Sequence, residues 1–462
     1  MTEPGKRIER DSMGEMEVPA EAYYGASTRR AVLNFPISGS RMPRRFVRAL
    51  GLIKRAAAKA NRDLGLLDPR IADAIGEAAE EVADGRHDGE FVVDVFQTGS
   101  GTSTHMNANE VIANRAAEIL GAPRGSREIV HPNDHVNLGQ SSNDVFPTAL
   151  HLSALLAIDE VLEPAVRALR DELIAKSRDT WDVIKTGRTH LQDATPIRLG
   201  QVFLGYADQM EAGLRRLAYA REELTPVALG GTAVGTGVNT HREFAGRVLA
   251  QVSAWTGVTI RETAHHFEAQ STLDAVLAAS GAVRTVAVSL LKIANDIRFL
   301  ASGPRCGIGE LSIPEVQPGS SIMPGKVNPV IAEALIQASA HAIAADQAVL
   351  QAAEWGFFEL NTMMPLAAHH LLSGIEVLGA ATANFSQRCV HGLSATGRGP
   401  EMVEKGLAIV TGLAPLIGYD QAAAIAHEAA RTGSTIREVA ERTTSLTREQ
   451  LDTALDPSGM TG

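Results

Sequence analysis

Residues 319–329 read Gly-Ser-Ser-Ile-Met-Pro-Gly-Lys-Val-Asn-Pro, and a long apolar run over residues 330–350 follows them. The two glycines and the first proline exclude a regular element, whereas Pro329 has the fixed φ of a first helical residue. The pattern therefore predicts a loop that ends at a helix N-terminus. Backbone N–H groups and the positive end of the helix dipole would gather there, beside Lys326 and Asn328, where an anion is stabilised.

Taken alone, a Gly-Lys pair is more typical of a helix-entry loop with a solvated lysine. A phosphate-binding loop would need Gly at position 320 and Ser or Thr at position 327, but the chain has Ser320 and Val327 there. The other glycine-rich run, residues 230–237, lacks the spacing of a dinucleotide-binding motif. We interpret it as a tight turn that helps to shape a pocket.

The composition predicts a large, soluble, globular protein. The chain has 462 residues, a hydrophobic content of 45%, a net charge of −11 and only 4% aromatic residues. The acidity and the few aromatic rings argue against nucleic acid as a partner, and the acidity also disfavours anionic membranes. We expect no membrane-spanning run and no hydrophobic signal core in the first ten residues, and hence a cytoplasmic protein. Two cysteines, Cys306 and Cys389, are interpreted as reduced, packed thiols.

The distribution of apolar residues predicts a mainly α-helical protein with an unusually long helical bundle. Ala, Leu, Ile and Val recur at helical spacing, with little Gly or Pro, over residues 196–224, 270–300, 329–353 and 365–385. A helix that is apolar nearly all round must be buried by other helices, including those of another subunit. We predict an N-terminal mixed, mostly helical domain (1–140), a central long-helix domain (141–393) and a small C-terminal helical domain (394–462).

Four polar clusters, far apart in the sequence, combine short hydroxyl or amide side chains with glycine. They are residues 98–102, 141–144, 187–190 and 320–328. Each cluster alone is more typical of a helix cap or a turn. Together, their hydroxyls, amides and single lysine suit two carboxylates, which they would bind by multiple hydrogen bonds.

With these motifs in view, the chain resembles class II fumarase, within the fumarase and aspartase superfamily. The resemblance runs from end to end and includes Gln97 to Thr102, His131-Pro132-Asn133-Asp134, Gln140 to Asp144, Gly187 to His190, the loop at 319–329, Glu359-Leu360-Asn361 and the terminal Met460-Thr461-Gly462. The loop at 319–329 is specific for the superfamily, and the other segments favour fumarase within it.

The resemblance implies the reversible, stereospecific hydration of fumarate to L-malate, a tricarboxylic acid cycle step, without a cofactor or a metal. In the direction from malate, Ser320 would take the carbon-bound proton, and Lys326 and Asn328 would stabilise the resulting aci-carboxylate carbanion. His190, paired with Glu333, would assist the departure of water on the opposite face.

The resemblance also implies two sets of binding residues. Those matching the substrate-binding positions are Ser100, Gly101, Thr102, Ser141, Ser142, Asn143, Thr189, Ser321, Lys326, Val327 and Asn328. A second dicarboxylate site would lie at His131, Pro132, Asn133 and Asp134. From the residues alone, His131 and His135 would suggest a metal pair, but Pro132 and Asn133 favour a turn over the helix that such a pair requires.

The fold that the resemblance implies has three domains, and its long central helices associate into a homotetramer with a twenty-helix core, so that each active site draws on three subunits.

Two residues depart from the fumarase pattern. His105 stands where Asn is usual, and Gln192 stands where Met is common, this Gln being more like aspartase. Conversely, His190 and Gly325 favour hydration over ammonia addition. The alternatives are an aspartate ammonia-lyase and, against the retained site residues, a non-catalytic protein on the same fold.

Overall fold

The structure is a computed structural model, and it describes residues 5–462. The N-terminal part begins with a hairpin and continues with helices. The hairpin is formed by β1 Lys6–Asp11 and β2 Gly14–Pro19. The helices are α1 Ala26–Asn34, α2 Arg44–Asp63, α3 Pro69–Ala83, α4 Thr102–Ile119, α5 Ser142–Ala157 and α6 Glu163–Asp179. Between α4 and α5 lies a π-helical turn, Pro132–Val136, and between α5 and α6 a second one, Ile158–Leu162.

The central part alternates short strands with long helices. Its elements are β3 Ile184–Thr189, β4 Gln192–Arg198, α7 Leu199–Leu224, β5 Pro226–Val227, α8 Phe244–Thr256, β6 Arg261–Glu262, α9 His266–Ser271, α10 Asp274–Leu300, β7 Leu311–Ser312, α11 Val330–Ala353, β8 Gly356–Phe357, β9 Leu360–Asn361 and α12 Met364–Phe385. The prediction of a mainly α-helical fold with four long helices is confirmed.

Two of the predicted helix boundaries are wrong. Pro196 lies in strand β4, which pairs with β3, and the helix begins only at Leu199. The helix predicted to begin at residue 270 is split, because Ser271 ends α9 and Asp274 starts α10. The loop at 319–329 ends at the N-terminus of α11, as predicted from Pro329 and the apolar run.

The C-terminal part consists of short helices around a hydrophobic cluster of their own. The elements are β10 Ser394–Ala395, α13 Arg398–Val403, α14 Ala414–Ile417, α15 Tyr419–Thr432, α16 Ile436–Thr443 and α17 Arg448–Ala454. Their cluster includes Leu413, Val439 and Leu451, which are all buried.

The chain divides into two compact units. The first comprises the chain up to Pro164, Arg215–Ala287 and Ala340–Gly379, and the second comprises Ala165–Leu214, Val288–Ser339 and Ala380–Gly462. The division into three domains along the sequence stays a prediction.

We expected no apolar run long enough to span a membrane. Judged by helix length and composition alone, this expectation is wrong. Two helical stretches pass that test, Ser142–Asp179 and Asp274–Leu300. The apolar window of the first stretch is 83% buried within the chain, as in the core helix of a soluble protein.

Of the two cysteines, Cys389 is packed as expected, but Cys306 is exposed.

A buried carboxylate joins α3 to α4. Glu81 accepts hydrogen bonds from Nε and Nη2 of Arg115, at 2.7 and 2.9 Å, and its Oε2 lies 2.8 Å from Nε2 of His87. The Arg115 guanidinium holds the pKa of Glu81 down at about 2. This bidentate pair is of the strong, charge-assisted kind.

We expect Glu81→Gln to lower the free energy of unfolding by about 2 kcal/mol at pH 7, since a hydrogen-bonded charge is lost. The pKa of Glu81 is lower in the folded protein than in the unfolded chain. The stabilisation is therefore fully present above the unfolded pKa and is lost as the pH falls toward 2. Denaturant unfolding at pH 7 and at pH 4 would measure the difference.

The matched control is Glu80→Gln. Glu80 pairs with Arg55 at 3.0 Å, but 47% of its side chain is exposed, so the expected cost is below about 0.5 kcal/mol. Equal destabilisation by the two substitutions would contradict the role assigned to Glu81.

Candidate active site

In the first unit, hydroxyl groups from two helix N-termini form a continuous chain. The Ser100 and Thr102 hydroxyl oxygens lie 2.7 Å apart, and the Thr102 and Ser142 hydroxyl oxygens are also separated by 2.7 Å. Thr102 is the first residue of α4 and Ser142 is the first residue of α5. The positive ends of two helix dipoles therefore meet at one place, which favours an anion.

The start of α5 is fixed by a buried aspartate. Ser141 and Asp144 form a capping box, and the Asp144 carboxylate accepts the N–H groups of Ser141, Thr232 and Gly230 at 2.9, 2.9 and 3.1 Å. Burial raises the pKa of Asp144 to about 6. Asp144 thereby ties the α5 N-terminus to the glycine-rich turn.

The glycine-rich turn helps to form the pocket, as predicted. Asn143 donates its side-chain amide to the Ala233 carbonyl at 2.8 Å. An open pocket of about 630 Å³ lies between these segments. Its lining includes Thr102, Ser141 and Ser142, together with Thr232 and Ala233 of the turn.

Part of the predicted second dicarboxylate site faces the same pocket. Asn133 and Asp134 line it, whereas His131 and Pro132 do not. His131 caps the π-helical turn, because its Nδ1 accepts the N–H groups of Asn133 and Asp134 at 3.3 and 3.1 Å. Burial lowers the pKa of His131. The structure therefore brings half of this set to the pocket and gives His131 a role in shaping the turn.

His131 and His135, the residues considered as a metal pair, both bind backbone N–H groups in the structure. His135 also uses its Nδ1 to accept a backbone N–H, that of His131, at 3.0 Å. Within residues 5–462, no group of three or more His, Cys, Asp or Glu side chains is arranged to hold a metal ion. Residues 132–136 form a single π-helical turn rather than the regular helix that such a pair requires.

In the second unit, Thr189 and His190 lie at the tip of a β-hairpin. His190 and Leu191 have φ values of 56° and 60°, so both residues of the turn are left-handed, as in a type I′ hairpin. This geometry exposes the His190 side chain. The base of the hairpin is held by Glu310, which accepts hydrogen bonds from Arg188 at 2.7 and 3.1 Å and pairs with Lys185 at 3.2 Å.

The loop at 319–329, called the signature loop below, lies in the second unit and is closed by its own polar groups. The Asn328 amide donates to the Gly319 carbonyl at 2.7 Å, and the Gly319 N–H donates to the Lys326 carbonyl at 2.8 Å. The Ser320 hydroxyl oxygen accepts the N–H groups of Ile322 and Met323 at 3.2 and 3.0 Å. Ser321 and Lys326 are exposed at its outer side.

The expected pair of His190 and Glu333 is not formed within the chain. Glu333 lies in the first turn of α11, where its N–H donates to the Pro329 carbonyl at 3.0 Å. No ion pair or hydrogen bond joins its carboxylate to His190 among the described residues. The pairing of His190 with Glu333 therefore stays a prediction.

Sequence reasoning did not anticipate the residues that hold the site in place. The Ser-x-x-Asp spacing of a capping box was the available signal for Asp144. Glu310 has no local signal, because its partners Lys185 and Arg188 lie more than 120 residues earlier in the chain.

The fold and these polar clusters define a lyase of the fumarase and aspartase class. Residues 14–344 match the family model described as "Lyase", and residues 409–462 match "Fumarase C C-terminus". The class II fumarate hydratase of Halobacterium salinarum is 55% identical and that of Nitrosomonas europaea 52%. Each alignment covers 98% of this chain, with 97% and 99% of the respective relatives.

A solved structure of similar shape is the class II fumarase of Schistosoma mansoni. Its TM-score is 0.95 at 38% identity, and the match covers 98% of this chain and 99% of that one. The chain therefore belongs to the class II fumarate hydratase family, whose members are hydro-lyases.

We expect Gly101→Ala to destabilise the first unit by about 3 kcal/mol. Gly101 has a φ of 73°, and an added Cβ would lie 2.0 Å from the Phe146 ring. Left-handed strain and overpacking each contribute to this cost. Thermal unfolding and the affinity for a dicarboxylate would both be measured.

Gly121, just after the same helix, provides the control. Its φ is 82°, but no atom lies within 4 Å of an added Cβ, so Gly121→Ala should cost only about 1 kcal/mol. If Gly101→Ala were no worse than Gly121→Ala, the close packing at Phe146 would have no energetic importance.

Proposed function

We propose that this protein catalyses the reversible, stereospecific hydration of fumarate to L-malate through an aci-carboxylate carbanion. The observation that carries the proposal is the near full-length similarity to proteins named fumarate hydratase class II, at 52% and 55% identity. The pocket at two helix N-termini supports it, because such a site suits a small carboxylate.

Ser320 is the proposed base that takes the proton from the carbon of malate. A serine hydroxyl is a weak base unless its deprotonated form is stabilised. Its oxygen already accepts two backbone N–H groups, from Ile322 and Met323, and hydrogen bonds to the charged form favour that form. Exclusion of water when the loop closes on substrate would add to this effect.

Lys326 and Asn328 are the proposed stabilisers of the carbanion. The aci-carboxylate carries one more negative charge than the substrate, so most of the rate enhancement must come from stabilising that charge. Lys326 is exposed on the loop and able to reach a ligand. The Asn328 amide is oriented by its bond to Gly319.

His190 is the proposed group that protonates the departing hydroxide, or activates water in the reverse direction. Glu333 would orient the imidazole by a hydrogen bond. The hydroxyls and amides of Ser100, Thr102, Ser141, Ser142, Asn143, Thr189 and Ser321, with the backbone at Gly101 and Val327, would bind the two carboxylates. The site at His131, Pro132, Asn133 and Asp134 would bind a second dicarboxylate.

The active protein is proposed to be a homotetramer with a twenty-helix core, in which each site draws on three subunits. The long helices support this assembly, since they leave large apolar side chains exposed. Val288 and Phe299 on α10 are 51% and 50% exposed, and Val377 on α12 is 41% exposed. The unpaired His190 and Glu333 are consistent with the same assembly. Cytoplasmic location and activity without a cofactor are part of the proposal.

The function is tested by ultraviolet absorbance of fumarate. Purified protein is given L-malate in one cuvette and L-aspartate in another, without added metal. A rise with malate alone is expected. A rise in absorbance with aspartate would replace the proposal by an ammonia-lyase, the activity that Gln192 favours in this sequence. No rise with either substrate would indicate a non-catalytic protein.

We expect Ser320→Ala and His190→Asn each to reduce kcat at least about 100-fold, as for loss of a general base or acid. The mass of the oligomer in light scattering should be unchanged. Ser445→Ala and His427→Asn, which replace an exposed serine and an exposed histidine of the same unit, are the controls. Loss of the oligomer in either site variant would assign that residue a structural role instead.

A further inference from the structure

The pocket of the first unit has an unusual charge balance for a site that takes a dianion. Its polar lining contains hydroxyls, amides, backbone and the imidazole of His105, but neither Lys nor Arg, and Asp134 adds a negative charge. Helix N-termini supply partial positive charge, equivalent to about half a unit at each helix. A full cation near the lining would change the electrostatic potential of the pocket considerably.

One such cation lies directly behind the lining. Lys54, on α2, has no exposed surface, and its Nζ donates to Oδ1 of Asn137 at 3.2 Å. Asn137 itself lines the pocket. The ammonium is therefore separated from the pocket by a single side chain.

The hydrogen bonds around Asn137 show which group carries the charge. The Asn137 amide donates to the Gln140 carbonyl at 3.2 Å, which directs Oδ1 toward Lys54 and His105. Nε2 of His105 lies 2.7 Å from the same oxygen and must donate to it. Nδ1 of His105 has no protein partner, and burial keeps the pKa of His105 well below its usual value. His105 is therefore neutral, and the positive charge of this cluster, where present, is on Lys54.

Lys54 is not neutralised by a salt bridge. No carboxylate of the described residues lies within ion-pair distance of its Nζ. The nearest acidic influence is Asp144 on α5, whose carboxylate is occupied by three backbone N–H groups. Lys54 thus has two titratable neighbours. Asp144 is the charged one, and His105 on α4 is neutral. The helices α3 and α8 and the π-helical turn with Asp134 and His135, which also pack on α2, contribute none.

We propose that Lys54 is a positioning residue that serves as the buried counter-charge for a dicarboxylate bound in this pocket, and that it holds Asn137 in the pocket wall. The inference rests on the proposed function, because it assumes a dianionic ligand. A charge in a region of low dielectric acts over a longer distance than a surface charge. A buried lysine one layer behind the wall is therefore able to attract the ligand without touching it.

The same geometry couples ligand binding to protonation. Burial lowers the pKa of Lys54 to about 7, so the free protein holds this proton only partly at neutral pH. A bound dianion favours the ammonium and raises its pKa. Binding between pH 7 and pH 8.5 must then take up protons, and the affinity must fall as the pH rises through this range.

The experiment is calorimetric titration of the intact oligomer with succinate, a dicarboxylate with neither the double bond nor the hydroxyl needed for turnover. We expect Lys54→Met to weaken succinate binding about tenfold at pH 6.5, since a buried charge interaction is lost. The control is Lys59→Met on the same helix. Lys59 is exposed and pairs with Asp63 at 2.8 Å, so the affinity should change less than about twofold.

Proton uptake is measured by repeating the titration at pH 7.5 in buffers with different ionisation enthalpies. Wild-type protein and Lys59→Met should take up protons on binding, and Lys54→Met should take up fewer. The proposal would be overturned if Lys54→Met bound succinate with the affinity of the wild-type protein, or if all three proteins took up the same number of protons on binding.

If Lys54→Met does not fold, Lys54→Gln replaces it, and absence of uptake by the wild-type protein alone would suffice to reject the inference. Because succinate is not turned over, these results stand apart from the malate and aspartate assay. Succinate binding without malate turnover would reject the proposed function and leave the role of Lys54 intact.

Discussion

The buried carboxylate of Asp144 is the interaction on which the rest of the pocket depends. It accepts three backbone N–H groups, from Ser141 at the start of α5 and from Gly230 and Thr232 in the glycine-rich turn. Without it, two loops whose backbone donors need partners would have none in a buried region. With it, Ser142 is held where its hydroxyl meets that of Thr102 at the start of α4. One acidic side chain thus aligns the N-termini of two helices.

Under the proposed function, this arrangement gives an acidic protein a site for a dianion. With a net charge of −11, the chain has no general attraction for anions, and a lysine-rich lining is not used. Helix N-termini and short hydroxyls supply directional donors instead, and they select a small carboxylate over a large polyanion. The cation of the proposed mechanism, Lys326, is in the second unit on the signature loop. Fixed recognition and charge stabilisation during the reaction are therefore assigned to different segments.

Much of the fold was predictable because its signals are local. Pro329 and the apolar run after it specify α11, and the capping pattern at Ser141 marks the start of α5. The hairpin β3–β4 was missed because Pro196 suggested a helix start, whereas this strand pairs only with β3 and tolerates a proline. The functions of Lys54 and Glu310 had no such signal. Lys54 lies in an ordinary amphipathic pattern, and only packing shows that its ammonium is buried.

His190 and Glu333, which the proposed mechanism pairs, are not joined within one chain. Both residues belong to one unit, yet the left-handed turn at His190 directs its side chain to solvent, and Glu333 is in the first turn of a different element. A solvent-exposed imidazole at the tip of a short hairpin has no fixed orientation, which general acid catalysis requires. The large apolar side chains exposed on α10 and α12 also need a covering surface. Assembly of several copies would satisfy both needs at once, because the contact that buries the long helices would also give the hairpin tip a neighbour. Stability and catalysis would then depend on the same association, and a dissociated chain would retain its pocket while losing turnover.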